Sequence, residues 1–310
     1  WYYPKNNESM HEAVQRESKA ARESAGILDA STLGKIDIKG TDASEFLNRV
    51  YTNAWSKLDI GKCRYGLMLN EDGMVYDDGV TTRLNENHYV MTTTTGGAAN
   101  VLSKLEDYLQ TEWPELDVWL TSVTDQYATA SVCGPNSKNI LKKLFPKVEF
   151  NDENFPHMSF KNADLDGINC RIMRISFTGE HSYEINIDSR YGKSLWERCM
   201  DAGKDFNITP YGTETMHLLR AEKGFIIVGQ DTDGTMTPID LQMEWIVSKK
   251  KYDFIGKRSL YRSDTMREDR KQLVGLLTDD PNEVLEEGAQ IVQDEKKQPI
   301  EMIGHVTSSY

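Results

Sequence analysis

Residues 64–80, RYGLMLNEDGMVYDDGV, contain the pattern that decides the fold of this chain. A mainly apolar run at 65–70 leads into an acidic turn that ends at Gly73, and a second run returns over 74–83. Two such runs joined by a short glycine-containing turn predict a β-hairpin. A third run at 88–93 extends the hairpin into an antiparallel meander.

Outside the meander, strands and helices follow one another in no regular alternation. The period of the apolar residues predicts further strands at 34–40, 171–176, 183–187 and 302–310, and helices at 8–26 (ended by Gly26), from 41, at 97–110, 136–144 and 191–201, and up to Gly224. No G-x-G-x-x-G or G-x-x-x-x-G-K-[ST] run is present, so neither a Rossmann nor a P-loop nucleotide site is indicated. The predicted class is α+β.

The composition narrows the choice of partners. The chain has 36 basic and 49 acidic residues in 310, a formal charge of -13, which disfavours nucleic acid and anionic membranes as partners. No apolar run is long enough to cross a bilayer. The first residues show no secretory signal pattern, and we expect a cytoplasmic protein.

The four cysteines are widely separated, and the six histidines lack metal-ligand spacing. The sequence therefore predicts buried thiols and no metal site. No G-x-S-x-G elbow is present, and covalent catalysis is not supported. The chain begins without methionine and ends at Tyr310 within the predicted strand 302–310, so we expect it to be part of a longer polypeptide.

Adjacent carboxylates inside an apolar strand are the most suggestive local feature. Asp77 and Asp78 point to opposite faces of the predicted strand, so one of them should face the interior or a cleft. Burial there would raise its pKa and prepare it as a base or as the counter-charge of a cation. The alternative is an aspartate that caps a turn at a strand end.

Glu184, between Tyr183 and Ile185, is a second acid in an apolar strand. Such a carboxylate could accept paired N–H donors from a pterin or guanidinium group. The alternative is an ordinary solvent-facing glutamate. Arg220 could bind a carboxylate, although an internal ion pair is the favoured interpretation.

Three stretches resemble the glycine-cleavage aminomethyltransferase superfamily. They are 26–36 (GILDASTLGKI), 64–80 and 222–234 (EKGFIIVGQDTDG). The third, continued through Thr237, Trp245 and 248–258, is similar to the sarcosine oxidase alpha-subunit branch of that superfamily, and the resemblance spans essentially the whole chain. The run 223–230 also resembles the folate-binding iron–sulfur assembly proteins, but Phe225 stands where they have a cysteine.

The resemblance implies three domains that enclose tetrahydrofolate. By this likeness, 1–50 with 138–215 form a first α+β domain, and 51–137 with 216–261 form a second that carries the Asp78 hairpin. Residues 262–310 would be the start of a C-terminal β-barrel-like (jelly-roll) domain whose remainder is missing. Sheets would be mixed or antiparallel.

The same resemblance implies roles for single residues. Asp78 matches a catalytic aspartate near the folate nitrogens, Glu184 a pterin-binding glutamate and Trp245 a tryptophan beside the folate. The remaining positions matched to the folate pocket are Leu33, Tyr65, Val80, Thr93 and Phe177. Thr93 and Phe177 depart from the asparagine and tyrosine of glycine-cleavage members, and Met216 replaces an arginine thought to meet the folate tail. These departures put the glycine-cleavage reaction in doubt.

The implied function is capture of a one-carbon unit. A flavin site in a partner polypeptide, of the sarcosine oxidase beta type, would oxidise sarcosine to an imine, and this chain would transfer the carbon to tetrahydrofolate as 5,10-methylenetetrahydrofolate and release glycine. Asp78 would stabilise the cationic iminium and assist proton removal. The alternatives are a stand-alone folate-dependent demethylase or aminomethyltransferase for another methylated compound, and a non-catalytic scaffold of a flavin oxidase complex.

Overall fold

The computed structural model describes all 310 residues and is a mixed α+β protein. The helices are α1 (Met10–Glu23), α2 (Ala43–Val50), α3 (Ala98–Asp107), α4 (Ser137–Leu144), α5 (Gly192–Ala202) and α6 (Thr213–Ala221). The strands are β1 (Gly26–Asp29), β2 (Gly34–Lys39), β3 (Cys63–Leu69), β4 (Val75–Asn85), β5 (His88–Thr93), β6 (Trp119–Ser122), β7 (Tyr127–Cys133), β8 (Ser159–Leu165), β9 (Ile168–Arg174), β10 (Ser182–Asp188), β11 (Thr209–Pro210), β12 (Gln290–Val292) and β13 (Met302–His305).

Three sheets contain these strands. A six-stranded sheet has the order β11-β1-β7-β10-β9-β8, and a five-stranded sheet has the order β3-β4-β5-β2-β6. Strands β1 and β11 pair in parallel, while β7, β8, β9 and β10 pair antiparallel. Strands β12 and β13 form a small antiparallel sheet of their own. The mixed and antiparallel sheets agree with the predicted α+β class.

The predicted hairpin is present, and its turn explains why it forms. Asn70, directly after β3, accepts hydrogen bonds through its side-chain oxygen from the backbone N–H groups of Asp72 (3.1 Å) and Met74 (3.0 Å). Gly73 has φ of 85°, a left-handed conformation that glycine adopts without steric cost. These local contacts turn the chain into β4.

Helix α1 ends earlier than the sequence predicts. Ser9 caps it in a reciprocal capping box with Glu12, and the helix stops before Ser24. Gly26, predicted to end the helix, is instead the first residue of β1, where Tyr211 and Cys133 leave no room for a side chain. The strand predicted over 302–310 is also shorter, since β13 ends at His305.

The chain divides into two compact units. The larger unit comprises Trp1–Ser44, Lys57–Tyr65 and Gly79–Phe225, and the smaller unit comprises Glu45–Ser56, Gly66–Asp78 and Ile226–Tyr310. This division into two units does not test the boundaries of the three predicted domains, which stay predictions. None of the helices combines the length and the apolar character that crossing a bilayer requires.

The main hydrophobic core of the larger unit lies between the six-stranded sheet and helices α4 and α5. Tyr183, Ile185 and Ile187 of β10 face it, together with Ile140 and Leu195 from the two helices. Because side chains alternate along a strand, Ser182, Glu184 and Asn186 lie on the opposite face of β10. That second face is polar, and the candidate site is built on it.

Candidate functional site

Buried polar residues cover the second face of the six-stranded sheet. Thr129 donates a hydrogen bond to the side-chain oxygen of Asn186 at 2.8 Å, and the hydroxyls of Ser131 and Ser182 lie 3.4 Å apart. All four side chains are buried. Buried polar groups are costly unless they are paired, and these four side chains pair with one another between β7 and β10.

Glu184 is the acidic group on this face. It is half-buried and lies opposite Ser131 on β7 and Met173 on β9. Burial raises the pKa of its carboxyl from 4.5 to about 7, and the positive charge of Lys35 limits that rise. The carboxylate is therefore held in an environment that disfavours its charge and in which N–H donors would be strongly bound.

Lys35 of β2 supplies the positive charge, and the sequence analysis did not identify it. The residue is only 3% exposed, and its Nζ donates hydrogen bonds of 3.0 Å to the carbonyl oxygens of Ser31 and Leu33. Burial lowers the pKa of its ammonium, while Glu184 is the largest opposing influence. Strand alternation suggests a solvent-facing lysine here, and the sequence contains no signal of its burial.

The charge of Glu184 acts on two further titratable groups, and both are neutral near pH 7. Burial raises the pKa of the Cys63 thiol to about 12 and the pKa of the Tyr211 hydroxyl well above 10. All four cysteines are free and buried, as predicted. Burial raises the pKa of all four thiols, so little of the nucleophilic thiolate form is present near pH 7.

In the five-stranded sheet, Val80 lies in β4 and Thr93 in the neighbouring β5, and Leu33 directly precedes β2, the next strand in the sheet. Gly34, which follows Leu33, pairs with Thr93 across β2 and β5. Val80 of β4 donates its backbone N–H to the Thr92 hydroxyl at 3.0 Å. Thr93 is 2% exposed and its hydroxyl donates to the carbonyl oxygen of Thr94 at 2.9 Å, so in this structure the hydroxyl is used internally.

The aromatic residues matched to the folate pocket lie in different surroundings. Phe177 stacks on Phe225 with ring centroids 6.2 Å apart, within the larger unit. Tyr65 is half-buried in β3 of the same unit. Met216, at the position of the family's arginine, packs on the apolar cluster that contains Cys133 and Tyr211.

Asp78 and Trp245 belong to the smaller unit. Asp77 is 2% exposed and Asp78 is half-buried, so alternation along β4 sends the neighbouring carboxylates to different surroundings as predicted. Trp245 is 70% exposed and lies in a single helical turn, Glu244–Ile246. The turn is tied to Thr52, whose hydroxyl donates to the Ile246 carbonyl oxygen at 3.3 Å.

Neither the groove of the larger unit nor any cluster of metal-binding side chains coincides with the predicted site residues. An open groove of about 720 Å³ in the larger unit is lined by residues that include Ser31, Asp125 and Trp196, but by none of the predicted site residues. No three or more histidine, cysteine, aspartate or glutamate side chains come together in a group that could hold a metal ion. The chemistry that the described residues favour is recognition of N–H donors by Glu184.

Comparison with known proteins gives consistent likenesses. Residues 1–251 match the model of the GCVT N-terminal domain family. The chain is 59% identical over 314 residues to the sarcosine oxidase subunit alpha of a Corynebacterium species (strain P-1), covering 100% of this chain and 32% of that protein. The corresponding subunit of Rhizobium meliloti is 44% identical over 317 residues with the same coverage. The chain thus spans about a third of the length of these relatives.

Shorter relatives are covered more completely. The aminomethyltransferase of Thermoanaerobacter pseudethanolicus is 30% identical over 299 residues, which are 96% of this chain and 78% of that protein. The crystal structure of the glycine cleavage system aminomethyltransferase T of Bartonella henselae superimposes with a TM-score of 0.80 at 24% identity, covering 96% of this chain and 77% of that one. That similarity establishes the fold. From the family match and the coverage of these relatives, the chain belongs to the aminomethyltransferase family defined by the GCVT N-terminal domain.

Proposed function

We propose that this chain is a tetrahydrofolate-binding, one-carbon transfer module of the sarcosine oxidase alpha-subunit type. The observation that carries the proposal is the half-buried carboxyl of Glu184 on a polar sheet face of the larger unit. The likeness to two sarcosine oxidase alpha subunits supports the choice of branch. Because the chain spans about a third of those proteins, their whole activity enters only as a proposal.

Glu184 would hold the pterin. A carboxylate can accept two parallel N–H bonds from a planar donor pair, and such charge-assisted bonds are among the strongest in proteins. Since burial raises the pKa of Glu184, two N–H donors would restore part of the solvation that its charge has lost. The residues present therefore fit a pterin. The further folate-binding residues that we propose are Leu33, Tyr65, Val80, Thr93, Phe177 and Trp245.

Asp78 is the proposed catalytic residue. Tetrahydrofolate, when bound, supplies the nitrogens that take up a one-carbon unit. The carboxylate of Asp78 would stabilise a cationic substrate carbon and accept a proton, a contribution of roughly 100-fold to 10,000-fold in rate. Its half-buried position on β4 is compatible with this role.

The proposed partner is a flavoprotein subunit. There, sarcosine would lose a hydride to flavin and become a cationic iminium, the protonated form of the imine. Tetrahydrofolate would then take up the methyl-derived carbon as 5,10-methylenetetrahydrofolate, with release of glycine as the free amine and one proton. We further propose the three-domain division, in which 262–310, with β12 and β13, contribute to a C-terminal β-barrel-like (jelly-roll) domain.

An anaerobic titration with tetrahydrofolate, followed by tryptophan fluorescence, tests the binding part of the proposal. We expect saturable quenching at micromolar ligand in the unmodified chain and its loss in Glu184→Ala. A folded chain that binds a flavoprotein but not folate would instead support the scaffold alternative.

Asp78→Asn tests the catalytic part. The variant should bind tetrahydrofolate as the unmodified chain does, because the pterin is held by Glu184, yet transfer should fall by roughly 100-fold to 10,000-fold. Product analysis by mass spectrometry, methylene against methyl folate, separates the sarcosine reaction from that of a stand-alone demethylase. Equal transfer rates in the variant and the unmodified protein would exclude Asp78 from the chemistry.

A further inference from the structure

Phe225 is an exposed aromatic residue of the larger unit to which the proposed function gives no role so far. Its side chain is 41% exposed, and its ring is stacked on the ring of Phe177, with the centroids 6.2 Å apart and the ring planes at 23°. A single exposed apolar side chain is common on protein surfaces, so its contacts decide whether it has a role. The contact here is with a residue proposed for the folate site.

The backbone of Phe225 is fixed at the end of α6. Gly224, with φ of 71°, turns the chain out of the helix. Phe225 then donates its N–H to the Arg220 carbonyl oxygen at 3.0 Å, and its own carbonyl oxygen accepts a hydrogen bond of 3.1 Å from Arg220 Nη1. Arg220 is 2% exposed, so water competes little for these two bonds. The position of Phe225 therefore does not depend on a ligand.

Arg22 of α1 joins the two segments that carry the aromatic pair. Its guanidinium donates to the carbonyl oxygen of Thr178, in the connection between β9 and β10, and to the carbonyl oxygen of Leu219 on α6 at 2.9 Å. It also forms ion pairs with Glu180 (2.9 Å) and Glu222, one from each segment. The two rings are thus held together by contacts other than their own stacking. A site whose parts are already in place loses less conformational entropy when it binds a ligand.

The helix that leads to Phe225 packs on the sheet face that bears Glu184. Ser131 pairs with Glu184 across β7 and β10, so these two side chains share a face, and Cys133, two residues further along β7, points to the same face. Leu219 of α6 lies in one apolar cluster with Cys133. Helix α6 therefore covers part of this face at the end where β7 finishes.

The stacked pair is suited to a further aromatic ring. Aromatic rings prefer offset-stacked or edge-to-face neighbours with centroids about 4.5–7 Å apart, and the Phe225 ring has one such neighbour and is partly exposed. Phe177 lies in the connection of the β9–β10 hairpin that bears Glu184, and Phe225 is one ring further along the stack. In tetrahydrofolate, a short methylene–amine link likewise joins the pterin to a second ring, the p-aminobenzoyl group.

We propose that Phe225 is a specificity-determining residue whose ring, held against Phe177, packs on the p-aminobenzoyl ring of tetrahydrofolate. This inference rests on the proposed function for the identity of the ligand, and it deepens that function by assigning the second ring of the ligand. Glu184 would recognise the pterin through its N–H groups, and Phe225 would distinguish folates from reduced pterins that lack the p-aminobenzoyl ring.

The test compares two ligands in Phe225→Leu by anaerobic calorimetric titration. One is tetrahydrofolate, and the other is tetrahydrobiopterin, a reduced pterin with a short hydroxylated chain in place of the p-aminobenzoyl ring. Since an aromatic pair contributes roughly threefold to tenfold in affinity, we expect Phe225→Leu to weaken tetrahydrofolate binding by that factor and to leave tetrahydrobiopterin binding unchanged. Phe225→Tyr keeps the ring and should bind tetrahydrofolate as the unmodified chain does.

Tyr191→Leu is the matched control. Tyr191 is an aromatic residue of similar exposure, 37%, but it follows β10 at the end opposite to the β9–β10 connection. This variant should bind both ligands as the unmodified chain does. A fall in tetrahydrofolate affinity in Tyr191→Leu equal to that in Phe225→Leu would overturn the inference, because the loss would then not depend on the position of the ring.

A direct contact gives the second readout. In the unmodified chain with tetrahydrofolate bound, NMR should detect nuclear Overhauser effects between the p-aminobenzoyl protons and a labelled phenylalanine ring, and these signals should vanish in Phe225→Tyr made with unlabelled tyrosine. Their absence from the unmodified complex would overturn the inference. This readout also decides the matter if Phe225→Leu does not fold, as judged by circular dichroism.

The failure of the inference differs from the failure of the proposed function. Unchanged tetrahydrofolate affinity in Phe225→Leu, or a loss of the same factor for both ligands, would overturn the inference alone, because the unmodified chain would still bind folate. If the folded, unmodified chain binds neither ligand, the proposed function fails and the role of Phe225 fails with it.

Discussion

Glu184→Gln should stabilise the chain at alkaline pH while it weakens folate binding. Burial raises the pKa of Glu184 to about 7 from an ordinary value of 4.5. Between these two values the folded chain keeps a proton that the unfolded chain has lost, so the free energy of unfolding falls as the pH rises through this window. Glutamine has nearly the same shape and cannot ionise, so the variant does not experience this fall.

The size of the effect follows from the two pKa values. Each unit of difference between folded and unfolded states corresponds to about 1.4 kcal/mol, and the window from about pH 5 to about pH 8.5 contains most of the difference for Glu184, or about 2.5 kcal/mol. The stability of Glu184→Gln relative to the unmodified chain should rise by that amount over this range.

Urea unfolding at the two pH values, followed by circular dichroism, measures this difference. The matched control is Glu197→Gln on α5, because the Glu197 side chain is 62% exposed and its only ion pair is with Lys193 at 3.7 Å. The control should change little with pH. A stability difference between Glu184→Gln and the unmodified chain that is the same at both pH values would refute the assignment of a raised pKa to Glu184.

Two further variants test the packing of the five-stranded sheet and the interior of the smaller unit. Gly79→Ala would put a Cβ 1.9 Å from the Thr92 carbonyl oxygen, so the free energy of unfolding in urea should fall by about 3 kcal/mol. In the control Gly96→Ala, where nothing lies within 4 Å of the added Cβ, the free energy of unfolding should fall by much less. Equal losses in the two variants would contradict the close approach at Gly79. Lys251→Met removes hydrogen bonds to the Tyr51 and Asn53 carbonyl oxygens. Burial lowers the pKa of Lys251 from 10.5 to about 7, so the unmodified chain should gain stability as the pH rises from 7. The variant, which has no ammonium at this position, should not gain stability in this way. Thermal unfolding between pH 7 and pH 9.5 measures this, with the exposed Lys249→Met as control, and parallel pH profiles for the two variants would contradict it.

Local sequence signals were sufficient for elements whose interactions are short in range. The hairpin at 64–80 needed only an apolar run, a turn with Asn70 and Gly73, and a returning run, and the structure contains β3 and β4 there. Helix α1 carries its own capping box at Ser9. Strand β7 was missed, because Tyr127–Cys133 contains small and polar residues whose strand state depends on pairing with β1 and β10.

The candidate site shows most clearly what the sequence determined and what only the tertiary structure decided. The sequence alone established that Glu184 alternates with apolar neighbours in a strand, and the likeness to a family suggested its ligand. Only the tertiary structure decided which groups face it, since alternation specifies the two faces of a strand but not what covers each face. Lys35 and Glu184 lie 149 positions apart in the chain, and their interaction depends on the fold that buries both.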